Sequence, residues 1–83
     1  MKNKVLVELV VPTLDEVYSV YIPINKRVGN VIQLLNKSLF ELTNGLYVGT
    51  NTNFLYDEQG ERYEVNLLIR QTNIRNGSLV VLF

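Results

Sequence analysis

The sequence predicts an α+β domain in which one helix packs across one face of a mixed sheet of four to five strands. Three observations carry that prediction. Two runs of period-two alternation stand near the N-terminus, from Lys4 to Val11 and from Glu16 to Ile24. A single run of three-and-four spacing follows through Val28, Ile32, Leu35, Leu39 and Leu42. A nearly unbroken apolar run, Ser78 to Phe83, closes the chain and reads as a central strand buried on both sides.

In the first strand Val5, Val7, Leu9 and Val11 share one face, and Lys4, Leu6, Glu8 and Val10 share the other. The charges on the second set make the odd-numbered set the core face. Pro12-Thr13-Leu14-Asp15 reads as a connection, because Pro has no N–H for a ladder and Asp favours turns. In the second strand Tyr18, Val20 and Ile22 alternate with Val17, Ser19 and Tyr21. β-Branched and aromatic residues dominate it, as the half-buried surface of a sheet requires. Two such strands joined by a short loop make an antiparallel hairpin.

On the helix Val31 and Leu34 widen the apolar stripe, while Gln33, Asn36, Lys37 and Glu41 fall largely on a wet face. Asn25 is the expected N-cap and Asn44-Gly45 the stop signal. Gly29 and Asn30 are poor helix formers, so the helix must draw its stability from packing the stripe. Leu46 to Asn53 reads as a loop and Phe54-Leu55-Tyr56 as a short strand. Asp57 to Gly60 reads as a turn, and Glu61 to Val65 can return as a further short strand. Asn66 to Ile74 has no clear period, and Asn76-Gly77 is a second strong turn.

A hairpin this small cannot bury its own apolar face, so the helix must cover one side of the sheet. The economical arrangement sets the first and last strands side by side and parallel at the centre, with the helix diagonal across them. That arrangement is a β-grasp, spanning residues 1–83 as a single domain.

Composition narrows the function. The chain has 83 residues, 47% apolar and 19% charged, the eight Lys and Arg balancing the eight Asp and Glu. Zero net charge argues against nucleic acid or an acidic membrane surface as the main partner. With no Cys there is no disulfide framework or thiolate, and with no His the commonest acid–base group near neutral pH is missing. Ser19, Ser38 and Ser78 have no His to activate them. Asp57, Glu58, Glu61 and Glu64 gather around a turn, but without the acidic positions of a calcium loop and with Arg62 among them. The five glycines make no phosphate-binding spacing. No catalytic, metal or cofactor site is therefore expected. The run Val5–Val11 is too short for a membrane span and has no cleavage site after it, so a cytoplasmic protein without direct membrane insertion is expected.

The helix opening Val28-Gly29-Asn30-Val31-Ile32-Gln33-Leu34-Leu35 and the closing Thr72-Asn73-Ile74-Arg75-Asn76-Gly77-Ser78-Leu79-Val80-Val81-Leu82 resemble ubiquitin and its relatives over nearly the whole chain. Pro-Ile-Asn-Lys-Arg-Val before the helix, Ile-Arg-Asn-Gly-Ser before the last strand and the compact length are most similar to the tail-less bacterial YukD type, which accompanies type VII (WXG-protein) secretion systems. The resemblance implies a ubiquitin-like, non-enzymatic module that binds protein partners through the sheet. Those partners would be secretion-machinery components or a second copy of the chain. Conjugating and sulfur-carrying relatives act through a flexible Gly-Gly ending, whereas this sequence reads Leu79-Val80-Val81-Leu82-Phe83 there. A non-covalent role is expected over that of covalent modifier or sulfur carrier; a self-associating structural subunit is the other alternative.

The candidate site is the sheet face turned away from the helix. With the odd residues of the first strand in the core, Leu6 and Val10 point outward, and Tyr21 lies on the same face. Taking Leu79 and Val81 toward the helix puts Val80 and Leu82 outward beside them. Exposed apolar patches of this kind mark interaction sites, unless loops cover them. Leu14 at the hairpin tip is either a contact residue or packed on its own strand, and the same two readings hold for Tyr47 in the loop. Lys26, Arg27 and Lys37 form a mild basic region, read as a solvated helix face.

Overall fold

The structure, a computed structural model, describes residues 2–83. Strand β1 (Lys4–Val11) pairs antiparallel with β2 (Glu16–Pro23) through a single 3-10 turn at Pro12–Leu14. Asp15 ends that turn in the left-handed region, donating its N–H to the Pro12 carbonyl at 3.0 Å. Helix α1 spans Val28–Leu42, and the short strand β3 (Leu55–Tyr56) and β4 (Leu79–Leu82) complete a four-stranded sheet in the order β2-β1-β4-β3. β1 and β4 run parallel at its centre, as the β-grasp arrangement requires. Glu61 to Val65 does not form a strand, contributing only an isolated bridge from Arg62 to Tyr56.

The core is one apolar cluster. Val7, Leu9 and Val11 of β1 meet Val28, Val31, Ile32, Leu35 and Leu39 of α1, with Ile22, Leu55, Val80 and Leu82 from the other strands. At about 25 cal/mol per Å² of apolar area, each fully buried Leu or Val contributes roughly 1.5–3 kcal/mol before the entropy cost of ordering it.

Two helix expectations are corrected. Asn25 is not the N-cap; Arg27 holds that position, with no side-chain cap. The first free N–H groups are met by backbone instead, Val28 donating to the Leu67 carbonyl (2.8 Å) and Gly29 to the Val65 carbonyl (3.0 Å). The aperiodic segment thus laces the helix start to the end of β2: Ile69 donates to the Lys26 carbonyl and Arg70 to the Ile24 carbonyl. At the other end Leu42, expected in the stripe, is 64% exposed, and Leu34 is also exposed. Beneath that last turn the core is closed by the buried ring of Tyr47. Its hydroxyl donates to Asn36 Oδ1 at 2.9 Å, and its N–H donates to Thr43 Oγ1. Tyr47 is thereby a packing residue. Burial raises its pKa above the ordinary value.

Candidate functional site

Strand pairing fixes which side chains share the face opposite α1. Leu6 stands opposite Tyr21, Glu8 opposite Ser19, and Val10 opposite Val17 across β1 and β2. On the other side of β1, Glu8 aligns with Leu79 and Val10 with Val81, while Tyr56 of β3 stands opposite Val81. Directly opposed residues project to the same side of a sheet. The open face is therefore Tyr56, Val81, Val10 and Val17 in one row, Leu79, Glu8 and Ser19 in the next, then Leu6 and Tyr21.

This corrects the expectation for β4. Val80 and Leu82 are both 0% exposed and belong to the core, while Leu79 and Val81 take the half-exposed places on the open face. The physical reason is register. Gly77, in the left-handed region at φ 86°, turns the chain so that its N–H reaches the Leu6 carbonyl (2.8 Å), and Glu8 N–H donates to the Ser78 carbonyl (2.9 Å). These bonds set Leu79 beside Glu8 and hence Val80 beside the core residue Leu9. Asn76 Oδ1 fastens the same corner by accepting from Leu6 N–H at 2.8 Å.

Leu6 and Val10 are half-buried on the open face and Tyr21 is 55% exposed, all three on the predicted side. The sequence reading missed Val17 (57% exposed), Leu79 and Val81 as members of the patch. The signal for Val17 was present, since it alternates in phase with Tyr21. No alternation distinguished Leu79 from Val80. At the centre sits one charge. Ser19 Oγ donates to both Glu8 carboxylate oxygens, at 2.9 and 3.1 Å. The hydroxyl fixes the carboxylate in place, and among the described residues no cation pairs with it.

Leu14 packs against the core cluster, half-buried, away from this face. It borders a groove of about 560 Å³ together with Leu46 and Val48 of the loop after the helix. The acidic turn is structural in its geometry: Asp57 Oδ1 accepts from the N–H groups of Gln59 and Glu61, both at 2.9 Å. Arg62 lies over the Phe54 ring, 4.4 Å from its centre. Among the described residues no three His, Cys, Asp or Glu side chains converge on a possible metal position. No helix there is long and apolar enough to cross a membrane. Phe83 is tied to Phe54 by a reciprocal pair of backbone bonds, each 3.0 Å.

No protein-family model matches the chain, and no curated protein matches it in sequence. Solved structures do match. The EccD5 ubiquitin-like domain from Mycobacterium xenopi superposes with a TM-score of 0.79 at 17% identity, covering 96% of this chain and 92% of that one. The ubiquitin-like domain of the Mycobacterium tuberculosis type VII secretion protein EccD1 gives a TM-score of 0.75 at 11% identity, over 95% of this chain and 96% of that one. A chain of an ESX-5 inner membrane complex gives 0.72 at 15% identity; the match covers 98% of this chain but 21% of that much longer one. Strand order, parallel central pair and structural neighbours agree that this chain has the ubiquitin-like β-grasp fold.

Proposed function

We propose that the chain is a non-covalent protein-interaction module that docks through the open face of its sheet, as an accessory of a type VII secretion apparatus on the cytoplasmic side. The observation that carries this reading is the apolar face itself. Leu6, Val10, Val17, Tyr21, Leu79 and Val81 lie together with no helix over them. A small domain that leaves so many apolar side chains on one side has a partner to gain from covering them. The likeness to the EccD ubiquitin-like domains supports the secretion setting.

The single carboxylate says something about the partner. Glu8 would be desolvated on docking, and its Ser19 hydrogen bonds alone would not offset that cost. A fitting partner presents an apolar surface with a Lys or Arg placed to meet Glu8. The test is a comparison of wild type with Val10→Asp/Val81→Asp, both folded by circular dichroism, as bait in gently solubilised cells. Secretion-membrane components or WXG-type substrates held by wild type, lost by the variant and released by denaturant support the reading. The same set held equally by both baits overturns it.

A further inference from the structure

Strand β2 is an edge of the sheet, and its free side carries backbone groups that no other described residue uses. Ile24 donates its N–H to the Asn3 carbonyl, which places residues 24, 22, 20, 18 and 16 in the bonded class of the β1–β2 ladder. The alternate class on β1 confirms the phase, because Leu6 and Glu8 send their N–H groups toward β4 instead. The partners of that class, Val17, Ser19 and Tyr21, therefore aim their N–H and C=O groups outward from β2. Among the described residues none of those groups is bonded from outside the strand pair. Natural edges are ordinarily blunted by Lys, Pro or a bulge. Here the stretch from Val17 to Ile22 has none of these; Pro23 comes only at its end.

The stretch is also complementary to itself. In an antiparallel pair of two copies with Ser19 on the two-fold axis, Val17 opposes Tyr21 of the other copy, Tyr18 opposes Val20, and Ser19 opposes Ser19. Every flanking pair then joins an aromatic to a β-branched residue, the combination that stabilises cross-strand neighbours. The exposed side chains of Val17 and Tyr21 cover one another across the junction on the open face, while Tyr18 and Val20 do so on the other. Charge agrees with the same direction. Asp15 and Glu16 stand at one end of the edge and Lys26 at the other, with Lys4 beside Pro23, so antiparallel association brings acid toward base at both ends. A parallel pairing would set like against like.

We propose that the protein self-associates by antiparallel pairing of its β2 edges, joining two four-stranded sheets into one of eight strands, with Ser19 at the two-fold axis. The occupant of this edge is a second copy of the chain. Only about five residues a side pair, so the dimer is weak and exchanges rapidly.

Sedimentation equilibrium across protein concentration reads this directly, from the 9.5 kDa monomer to twice that mass. Ser19→Pro removes the central outward N–H and spares the backbone bonds of the β1–β2 ladder, losing the Ser19–Glu8 hydrogen bond with it, and Val17→Lys/Tyr21→Lys installs edge guards while keeping that bond if the proline variant does not fold. Each is expected to raise the dimer dissociation constant at least tenfold, while Val81→Lys, on the sheet face away from the edge, leaves it within twofold. A wild type that stays monomeric to about 1 mM, where association is worth roughly 4 kcal/mol, overturns the proposal. So does a dimer lost with Val81→Lys but kept in the folded edge variant; that result would assign self-association to the sheet face.

Discussion

Val80 and Val81 are neighbours of identical chemistry, and the register of β4 assigns them opposite fates. Val80 is 0% exposed and aligned with Leu9, whereas Val81 is half-exposed beside Val10. Replacing Val80 with Asp forfeits roughly 1.5–3 kcal/mol of apolar burial. The new carboxylate has no partner in that core. A pKa raised by about 3 units costs a further 4 kcal/mol or so at pH 7. The sum, near 6 kcal/mol, compares with a total stability of about 4–12 kcal/mol for a chain of 83 residues. Val80→Asp therefore loses between half and all of the stability at pH 7. Val81→Asp keeps its carboxylate in water and loses about 1 kcal/mol of strand preference and partial burial. Urea titration followed by far-UV circular dichroism separates the two, since a loss of about 1 kcal/mol moves the midpoint by about 1 M or less at slopes of roughly 1–3 kcal/mol/M. The sign of the pH dependence is fixed as well. A carboxyl whose folded pKa is raised is tolerated while protonated, so the Val80→Asp deficit relative to wild type shrinks as pH falls toward 4. A stable Val80→Asp beside an unfolded Val81→Asp would refute the register and the open face derived from it.

Other perturbations test separate parts of the account. Gly49→Ala puts a Cβ 2.3 Å from Cγ of Asn36, the residue that receives the Tyr47 hydroxyl, so overpacking should cost about 1–3 kcal/mol in chemical unfolding. Asn76→Ala deprives Leu6 N–H of its acceptor at the start of the β1–β4 seam and should cost about 1 kcal/mol by the same assay. Tyr47 and Tyr63 both have pKa values raised above 10.0, Tyr47 by burial and Tyr63 by burial and then by the nearby charges of Asp57 and Glu58. Each favours the neutral phenol in the folded state. Their contribution is complete below pH 10 and is lost as pH rises through the folded values. Thermal unfolding should weaken above pH 10, less steeply in Tyr47→Phe once its lower starting stability is subtracted.

The order and type of the main elements were legible because each had a period of its own: two on β1 and β2, three-and-four on α1. The hairpin followed from that, its Pro12–Asp15 connection from the chemistry of Pro and Asp, and the central parallel pair from the need for one helix to cover one side of the sheet. What failed was assignment within segments that carry no alternation. Leu79 to Leu82 is apolar at every position, so only the turn at Gly77 and the bonds from Leu6 and Glu8 decide which residues enter the core. The helix cap was illegible for another reason. Its acceptors are the Val65 and Leu67 carbonyls, nearly 40 positions away, and local preference for Asn at a cap gave no hint of them. Leu42 satisfied the spacing of the stripe, yet Tyr47 from the following loop fills that end of the core. The edge of β2 was readable only after pairing was known, although the Val-Tyr-Ser-Val-Tyr order was in view from the start.

Docking through the open face is decided by the paired bait experiment with wild type and the folded Val10→Asp/Val81→Asp variant, read by mass spectrometry before and after denaturation. Protein partners that wild type retains, the variant does not, and denaturant releases are the expected result. Identical partners on both baits, or adducts that survive denaturation, would contradict it.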